Sequence, residues 1–192
     1  MPPDRPDSLV ASPISLDRYR SYLLLLARWH WNPRLQGKLD PSDVVQQTLV
    51  QAWQGRDGFR GGTDGELRAW LRQILTRCLA DLARDFGRAK RDVGRERAAD
   101  AGVAESSARL EAWLDDQQSS PGERAERNEQ VLQLAEALAA LPAGQQEAVT
   151  LHYLHALSVA DVAALMQRTP AATAGLLKRG LRTLRSHLQT GD

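Results

Sequence analysis

The chain has 192 residues, with 25 Lys and Arg against 24 Asp and Glu, 42% hydrophobic and 26% charged residues. A net charge of +1 excludes a polybasic protein that coats nucleic acid through its overall charge, but it allows a local basic face. The longest apolar run, Leu23-Leu24-Leu25-Leu26-Ala27, falls far short of the roughly 20 residues that cross a bilayer, so no membrane is expected among the partners.

The N-terminus, Met1-Pro2-Pro3-Asp4-Arg5-Pro6-Asp7, lacks an apolar segment of the signal-peptide kind. The single cysteine, Cys78, excludes an internal disulfide and a Cys-clustered zinc site. These features point to the cytoplasm.

Residues 1–15 are proline-rich and aperiodic, which reads as a loose tail. From Leu16 the spacing is helical: Tyr19, Tyr22, Leu23 and Leu26 share a face, and Asn32-Pro33 with Gly37 break the helix. Asp40-Pro41-Ser42-Asp43 reads as the next helix start, with proline in the first turn and acids complementing the dipole. In that helix Val45, Leu49, Ala52 and Trp53 share a face. Gln46, Gln47 and Gln51 beside Asp43 form a polar face, open equally to solvent or to a protein partner. The loop Gly55–Gly62 follows, and a second strong helix from about Glu66 carries Leu67, Trp70, Leu71, Ile74, Leu75, Cys78, Leu79 and Leu82. From Gly87 to about Arg127 the apolar content collapses. This stretch reads as a flexible acidic linker with a short helix around Leu110–Leu114, containing Ser119-Ser120-Pro121-Gly122.

The last region opens on Val131, Leu134, Leu138 and Leu141, stopped by Pro142, and continues in a helix over Gln145–Ala156. Ser158 with Asp161 resembles a capping box for a short helix carrying Val159, Val162, Ala163 and Met166. After the turn at Gln167-Arg168, Thr169-Pro170 starts a longer helix with Leu177, Leu181, Leu184 and Leu188 on one side and Lys178, Arg179, Arg182 and Arg185 largely on the other. Charge is segregated along the chain. Residues 98–147 hold ten acids against three bases, and residues 166–192 hold five bases against one acid.

A short helix, a tight turn and a longer basic helix describe a helix-turn-helix, whose second helix enters the major groove while its cations neutralise phosphates. A second basic stripe runs through Arg68, Arg72, Arg77, Arg84, Arg88, Lys90 and Arg91, near Phe59 and Trp70. Aromatic rings beside cations suit unpaired bases. Trp70 lies on the apolar stripe and reads first as core, whereas Phe59, in a Gly-rich loop, either tucks into the core or meets a partner. His152-x-x-His155 offers two imidazoles on one helix face but no third ligand, so no metal is expected. No phosphate loop, nucleophile elbow or other catalytic motif appears, so the chain reads as neither an enzyme nor a cofactor binder.

Three stretches together resemble bacterial RNA polymerase sigma factors of the sigma-70 family, in their small extracytoplasmic-function (ECF) group. They are Asp40–Trp53, which is similar to the core-polymerase-binding helix; Phe59-Arg60-Gly61 with Leu67–Ile74 and Asp81, similar to the promoter-melting segment; and Leu157–Ala163 through Lys178-Arg179, similar to the C-terminal helix-turn-helix. Gln47 stands where the family usually has Glu, Arg77 where it usually has Asn, and Gln167 where the turn usually has Gly, a position that strains Gln if it requires positive φ. Ala174 and Leu176 replace the polar residues common in the recognition helix.

The resemblance implies an all-α protein of two small helical domains, residues 16–86 and 128–192, joined by the flexible acidic linker 87–127. It implies core RNA polymerase bound through Asp40, Asp43, Gln46, Gln47 and Trp53. Promoter DNA would be read twice. The melted non-template strand of the minus-ten element would meet Phe59, Arg60, Arg72, Arg77 and Arg84, and the minus-thirty-five duplex would meet Arg168, Thr169, Thr173, Lys178, Arg179 and Arg182. An anti-sigma factor is the regulatory partner found with many such relatives. About 40 flexible residues would span roughly 35 Å, enough to hold two promoter sites with one chain. The rival reading is a helix-turn-helix regulator that binds duplex DNA without polymerase, as a dimer on a palindromic site.

Overall fold

The computed structural model describes residues 15–30, 40–86, 102–110, 112 and 123–189. Its described residues are all-α, with no strand among them. The expected tail at residues 1–14, the break at Asn32-Pro33 and Gly37, the cations Arg88, Lys90 and Arg91, and the Ser119–Gly122 stretch lie outside them.

A 3-10 turn, Leu16–Tyr19, leads into α1, Arg20–Trp29. The expected stripe of Tyr19, Tyr22, Leu23 and Leu26 is fully buried. Helix α2, Pro41–Gly55, starts on a reciprocal cap: Asp40 Oδ1 accepts from the Ser42 amide at 2.8 Å, and Asp43 Oδ2 accepts from the Asp40 amide at 3.3 Å. Val44, Val45, Thr48, Leu49 and Ala52 are buried on it. Trp53 departs from the expected shared face. It is 57% exposed, with the Arg56 guanidinium 4.0 Å above its ring.

Helix α3, Asp64–Phe86, begins two residues before the expected start. Thr63 is its cap: Thr63 Oγ1 accepts from the Glu66 amide at 3.2 Å, while Glu66 Oε2 accepts from the Gly62 and Thr63 amides at 2.8 and 3.0 Å. Leu67, Leu71, Ile74, Leu75, Cys78 and Leu79 line its buried side, and Trp70 and Leu82 pack half-buried against it.

Residues 102–110 form a helix, α4, within the segment read as linker. Val103, Ser106, Ser107 and Leu110 are its buried residues. They fall at i, i+3, i+4 and i+7, which is an amphipathic helix with serine at two of four core-facing positions. Polar partners make that burial tolerable. The Ser107 and Tyr22 hydroxyls share a hydrogen bond of 2.8 Å, Arg72 Nη1 donates to Ser107 Oγ at 2.8 Å and to the Tyr22 hydroxyl at 3.2 Å, and Ser106 Oγ donates to the Gly102 carbonyl at 3.0 Å.

Helix α5, Glu123–Ala139, packs against α1 and α3 and also against α8. Val131, Leu132, Leu134, Ala135, Ala137 and Leu138 are all buried on it, more than one face can hold. After Pro142 comes α6, Ala143–Val149, which ends earlier than the expected Ala156. Thr150–Leu154 forms a π-turn instead, closed by the His155 amide on the Thr150 carbonyl at 3.1 Å, and Ala156 then takes φ 56°.

Helices α7, Val159–Leu165, and α8, Pro170–Gln189, make the helix-turn-helix. Ser158 Oγ accepts from the Asp161 amide at 3.2 Å, but its hydroxyl donates to Asp161 Oδ2 at 2.6 Å, so the box is not reciprocal. The turn is a Schellman motif: Gln167 has φ 53°, the Arg168 amide reaches the Ala163 carbonyl at 2.9 Å and the Gln167 amide the Ala164 carbonyl at 3.2 Å. This is the positive-φ position whose strain the sequence leaves conditional. Thr169 Oγ1 accepts from the Ala172 amide at 3.2 Å to start α8. Gly180 is where α8 meets α6, since a Cβ there would lie 2.8 Å from Val149 Cγ2.

Two substitutions test these backbone constraints by thermal unfolding. Gln167→Gly relieves the left-handed strain and is expected to stabilise by about 0.5–1 kcal/mol, after the larger unfolded-state entropy of glycine is discounted. Gly180→Leu overpacks the α6–α8 contact and is expected to cost about 1–3 kcal/mol. A wild-type melting temperature for Gly180→Leu would show that the two helices can separate there without cost.

Candidate nucleic-acid and polymerase interface

The outer face of α2 carries Asp43, Gln46, Gln47, Val50 and Trp53, all exposed, with Asp40 exposed at its start. Asp40 and Asp43 are therefore both surface groups and caps. Hydrogen bonds from the Ser42 amide and hydroxyl hold the Asp40 carboxyl below its ordinary range, so it stays charged and fixed. An exposed indole beside two amides and a fixed carboxylate is a surface suited to a protein partner.

In the loop before α3, Phe59 is half-buried and stacks on Trp70, with ring centroids 4.9 Å apart and 28° between planes. A Cβ at Gly61 would overlap the Phe59 ring, so this glycine lets the aromatic fold back. Of the two readings left open for Phe59, the structure takes the tucked one. Arg60 beside it is exposed. Glu66 ties the loop to the helix, and the hydrogen bonds from Gly62 and Thr63 hold its carboxyl below the usual range.

The basic stripe of α3 divides in two. Arg77 and Arg84 are exposed, and Arg84 pairs with Asp81. Arg68 is only 7% exposed, with its guanidinium 5.9 Å over the Tyr22 ring, and half-buried Arg72 is bound to Tyr22 and Ser107. Sequence periodicity could not separate these two groups, because the helix that covers Arg72 lies in the segment read as linker.

On the helix-turn-helix, Arg168, Thr169, Lys178, Arg179 and Arg182 are exposed. Thr173 is not: its exposure is 0%, and its side chain packs inside α8's buried face with Leu177 and Gly180. The expectation that Thr173 touches DNA is corrected accordingly, since one turn before Leu177 it falls on the core side. Lys178, Arg182 and Arg185 line a shallow groove of about 470 Å³ with Leu181, Ser186 and Gln189. Lys178, Arg182 and Arg185 fall at i, i+4 and i+7, so Arg185 belongs to this basic face.

His152 and His155 are both taken by hydrogen bonds. His152 Nδ1 donates to the Leu157 carbonyl at 2.7 Å, and His155 Nδ1 accepts from Trp29 Nε1 at 2.8 Å. No group of three potential metal ligands occurs among the described residues. No described helix is long and apolar enough to cross a membrane.

The family model for sigma-70 region 2 matches residues 16–89, and that for sigma-70 region 4 matches residues 132–184. The ECF RNA polymerase sigma factor SigG of Mycobacterium tuberculosis, in strains CDC 1551 / Oshkosh and ATCC 25618 / H37Rv, is 45% identical over 51 residues. That match covers 26% of this chain and 13% of the relative's own length. With the two sigma-70 regions in order across most of a chain whose described residues are all-α, and the second of them folded as a helix-turn-helix, the protein belongs to the sigma-70 family.

Proposed function

We propose that this chain binds core RNA polymerase, directs it to a subset of promoters and stabilises the melted strand during transcription initiation. The observation that carries this reading is the order of two separate surfaces on one chain. An exposed α2 face of Asp43, Gln46, Gln47 and Trp53 is followed by a capped helix-turn-helix whose long helix exposes Lys178, Arg179 and Arg182. In this reading residues 16–86 and 128–192 are the two working domains and 87–127 the connection between them. Sigma-70 factors are non-catalytic initiation factors. The work done here is binding: flipped bases recover the few kcal/mol lost on unstacking through contacts near Arg60, Arg77 and the Phe59–Trp70 stack. The site of action is the cytoplasm, where polymerase and promoter are, and an anti-sigma factor is the expected regulator.

Titration of the purified protein against bacterial core polymerase tests the first step. Gln46→Arg/Gln47→Arg leaves both caps of α2 intact, and is expected to weaken saturable binding at least about tenfold, or about 1.4 kcal/mol. No binding by the wild type at micromolar concentration, with duplex binding retained, would favour the polymerase-independent regulator.

The basic face has its own readout. With Lys178, Arg179 and Arg182 replaced by Ala, duplex affinity is expected to fall, and the slope of log K against log salt to decrease by about 2–3, close to 0.9 for each lost phosphate contact. An unchanged slope would place the phosphate contacts elsewhere.

A further inference from the structure

The first two turns of α8, residues 170–177, present no polar side chain to solvent. Pro170, Ala171, Ala172, Ala174, Leu176 and Leu177 have no polar side-chain atoms, and Gly175 has no side chain. Thr173 is buried, and Thr169 Oγ1, just before the helix, is engaged by the Ala172 amide as the cap. Arg168 turns toward α6, where a Cβ at Gly144 would lie 4.0 Å from its Nη2. The N-terminal part of a recognition helix is the part that faces base edges. In this chain a polar group must reach there from further along the helix.

Arg179 does so. A Cβ at Gly175 would lie 3.3 Å from Arg179 Nη1, 3.8 Å from Nη2 and 3.9 Å from Cζ, so the guanidinium rests where a side chain at 175 would stand. Helical side chains lean toward the N-terminus, and four residues back is about 6 Å along the axis. At about 100° per residue, Gly175 falls opposite the buried Thr173, Leu177, Gly180 and Leu184, so this slot opens on the outward face. Gly175 is helical without a left-handed φ, and glycine weakens a helix interior, so what it supplies here is space. Arg179 is exposed, and among the described residues no hydrogen bond or ion pair holds its guanidinium. Lys178, Arg182 and Arg185 lie apart from it, along the groove they share with Ser186 and Gln189.

We infer that Arg179, seated over Gly175, is the residue through which the recognition helix selects a guanine in the major groove, while Lys178, Arg182 and Arg185 hold phosphates. The guanidinium fork donates two parallel hydrogen bonds, and guanine is the base that offers two acceptors, O6 and N7, on its major-groove edge. Adenine sets a donor beside its N7 acceptor, and cytosine presents a donor. The small, exposed Ala171, Ala172 and Ala174 around the slot let the helix approach the groove floor without a competing polar group. This role deepens the duplex binding proposed above and rests on it, but it does not depend on polymerase.

Selection of duplexes from a randomised library tests this role, using the full chain both free and assembled with bacterial core polymerase, followed by affinity measurements on the enriched sequence. Wild type is expected to enrich a guanine at one position of the upstream element about tenfold over the other bases. Arg179→Ala is expected to lose that preference and keep the rest of the motif. Gly175→Leu, which fills the slot with a good helix former, is expected to lose it too, with no fall in melting temperature. Replacing that guanine by 7-deazaguanine, which lacks the N7 acceptor, is expected to weaken wild type about fivefold and leave Arg179→Ala unchanged, whereas inosine, which keeps O6 and N7, changes neither. If Arg179→Ala instead weakens every sequence alike and reduces the slope of log K against log salt by about 0.9, Arg179 is a phosphate contact and the inference is overturned. A guanine preference equal in wild type and Gly175→Leu would overturn the seat at Gly175. No enrichment with core polymerase, but a guanine preference of the free chain that Arg179→Ala removes, would overturn the sigma reading and leave the role of Arg179 standing. No base preference in either form would overturn that role.

Discussion

Helix α5 has too many apolar residues for one face. Val131, Leu132, Leu134, Ala135, Ala137 and Leu138 all leave water, and no single neighbouring helix could cover them. Each buried aliphatic side chain contributes about 1.5–3 kcal/mol, so exposing even one side of α5 is expensive. The chain meets this constraint by packing α1 and α3 and also α8 against the same helix. Region 2 and region 4 therefore contribute to one continuous core, from Tyr19 to Leu184. Their relative placement follows from that shared helix.

The shared core also explains how the α3 cations came to differ. A stripe of arginines on a helix is usually a solvated face, and Arg77 and Arg84 keep that state. Arg68 and Arg72 lie toward α1, where Tyr22 is fully buried and its hydroxyl needs partners. Arg72 and Ser107 supply them, and Arg68 sits above the ring. A buried hydroxyl without a partner costs about 1–3 kcal/mol, so this small network is held by the penalty for breaking it. The Arg72 guanidinium thus closes the polar core where α1, α3 and α4 meet.

Much of the fold was legible in the sequence because its signals are local. The Asp40-Pro41 start, the Thr169-Pro170 start, the stop at Pro142 and the helical stripes of α1 and α3 each depend on neighbours within a turn or two. Thr63-Asp64-Gly65-Glu66 carried the same kind of signal, a capping box, and marks the true start of α3. What was hidden is non-local. Val103-x-x-Ser106-Ser107-x-x-Leu110 has the right spacing, but serines at two core positions dilute the apolar pattern, and only Tyr22, His30 and Arg72 from distant segments make them buriable. Thr173 was misplaced for a related reason: a small hydroxyl residue near a helix start reads as surface until its packing neighbours are known.

The π-turn at Thr150–Leu154 joins the local and the distant parts of this argument. A regular α-helix through this segment would advance about 100° per residue and would present a different residue to α1. The wider turn sets Leu154 inside the core and turns its carbonyl to Arg109, while His155, one residue on, meets Trp29. It also brings the chain to Ala156 at φ 56°, a left-handed conformation that alanine adopts only at a cost of about 1–2 kcal/mol. A second strained residue, Gln167, sits just after the next helix. Both strains flank α7, the helix that braces the recognition helix, and both are offset by hydrogen bonds that close their turns. The helix-turn-helix is thus positioned by the same irregular backbone that carries Leu154 and His155 to Arg109 and Trp29.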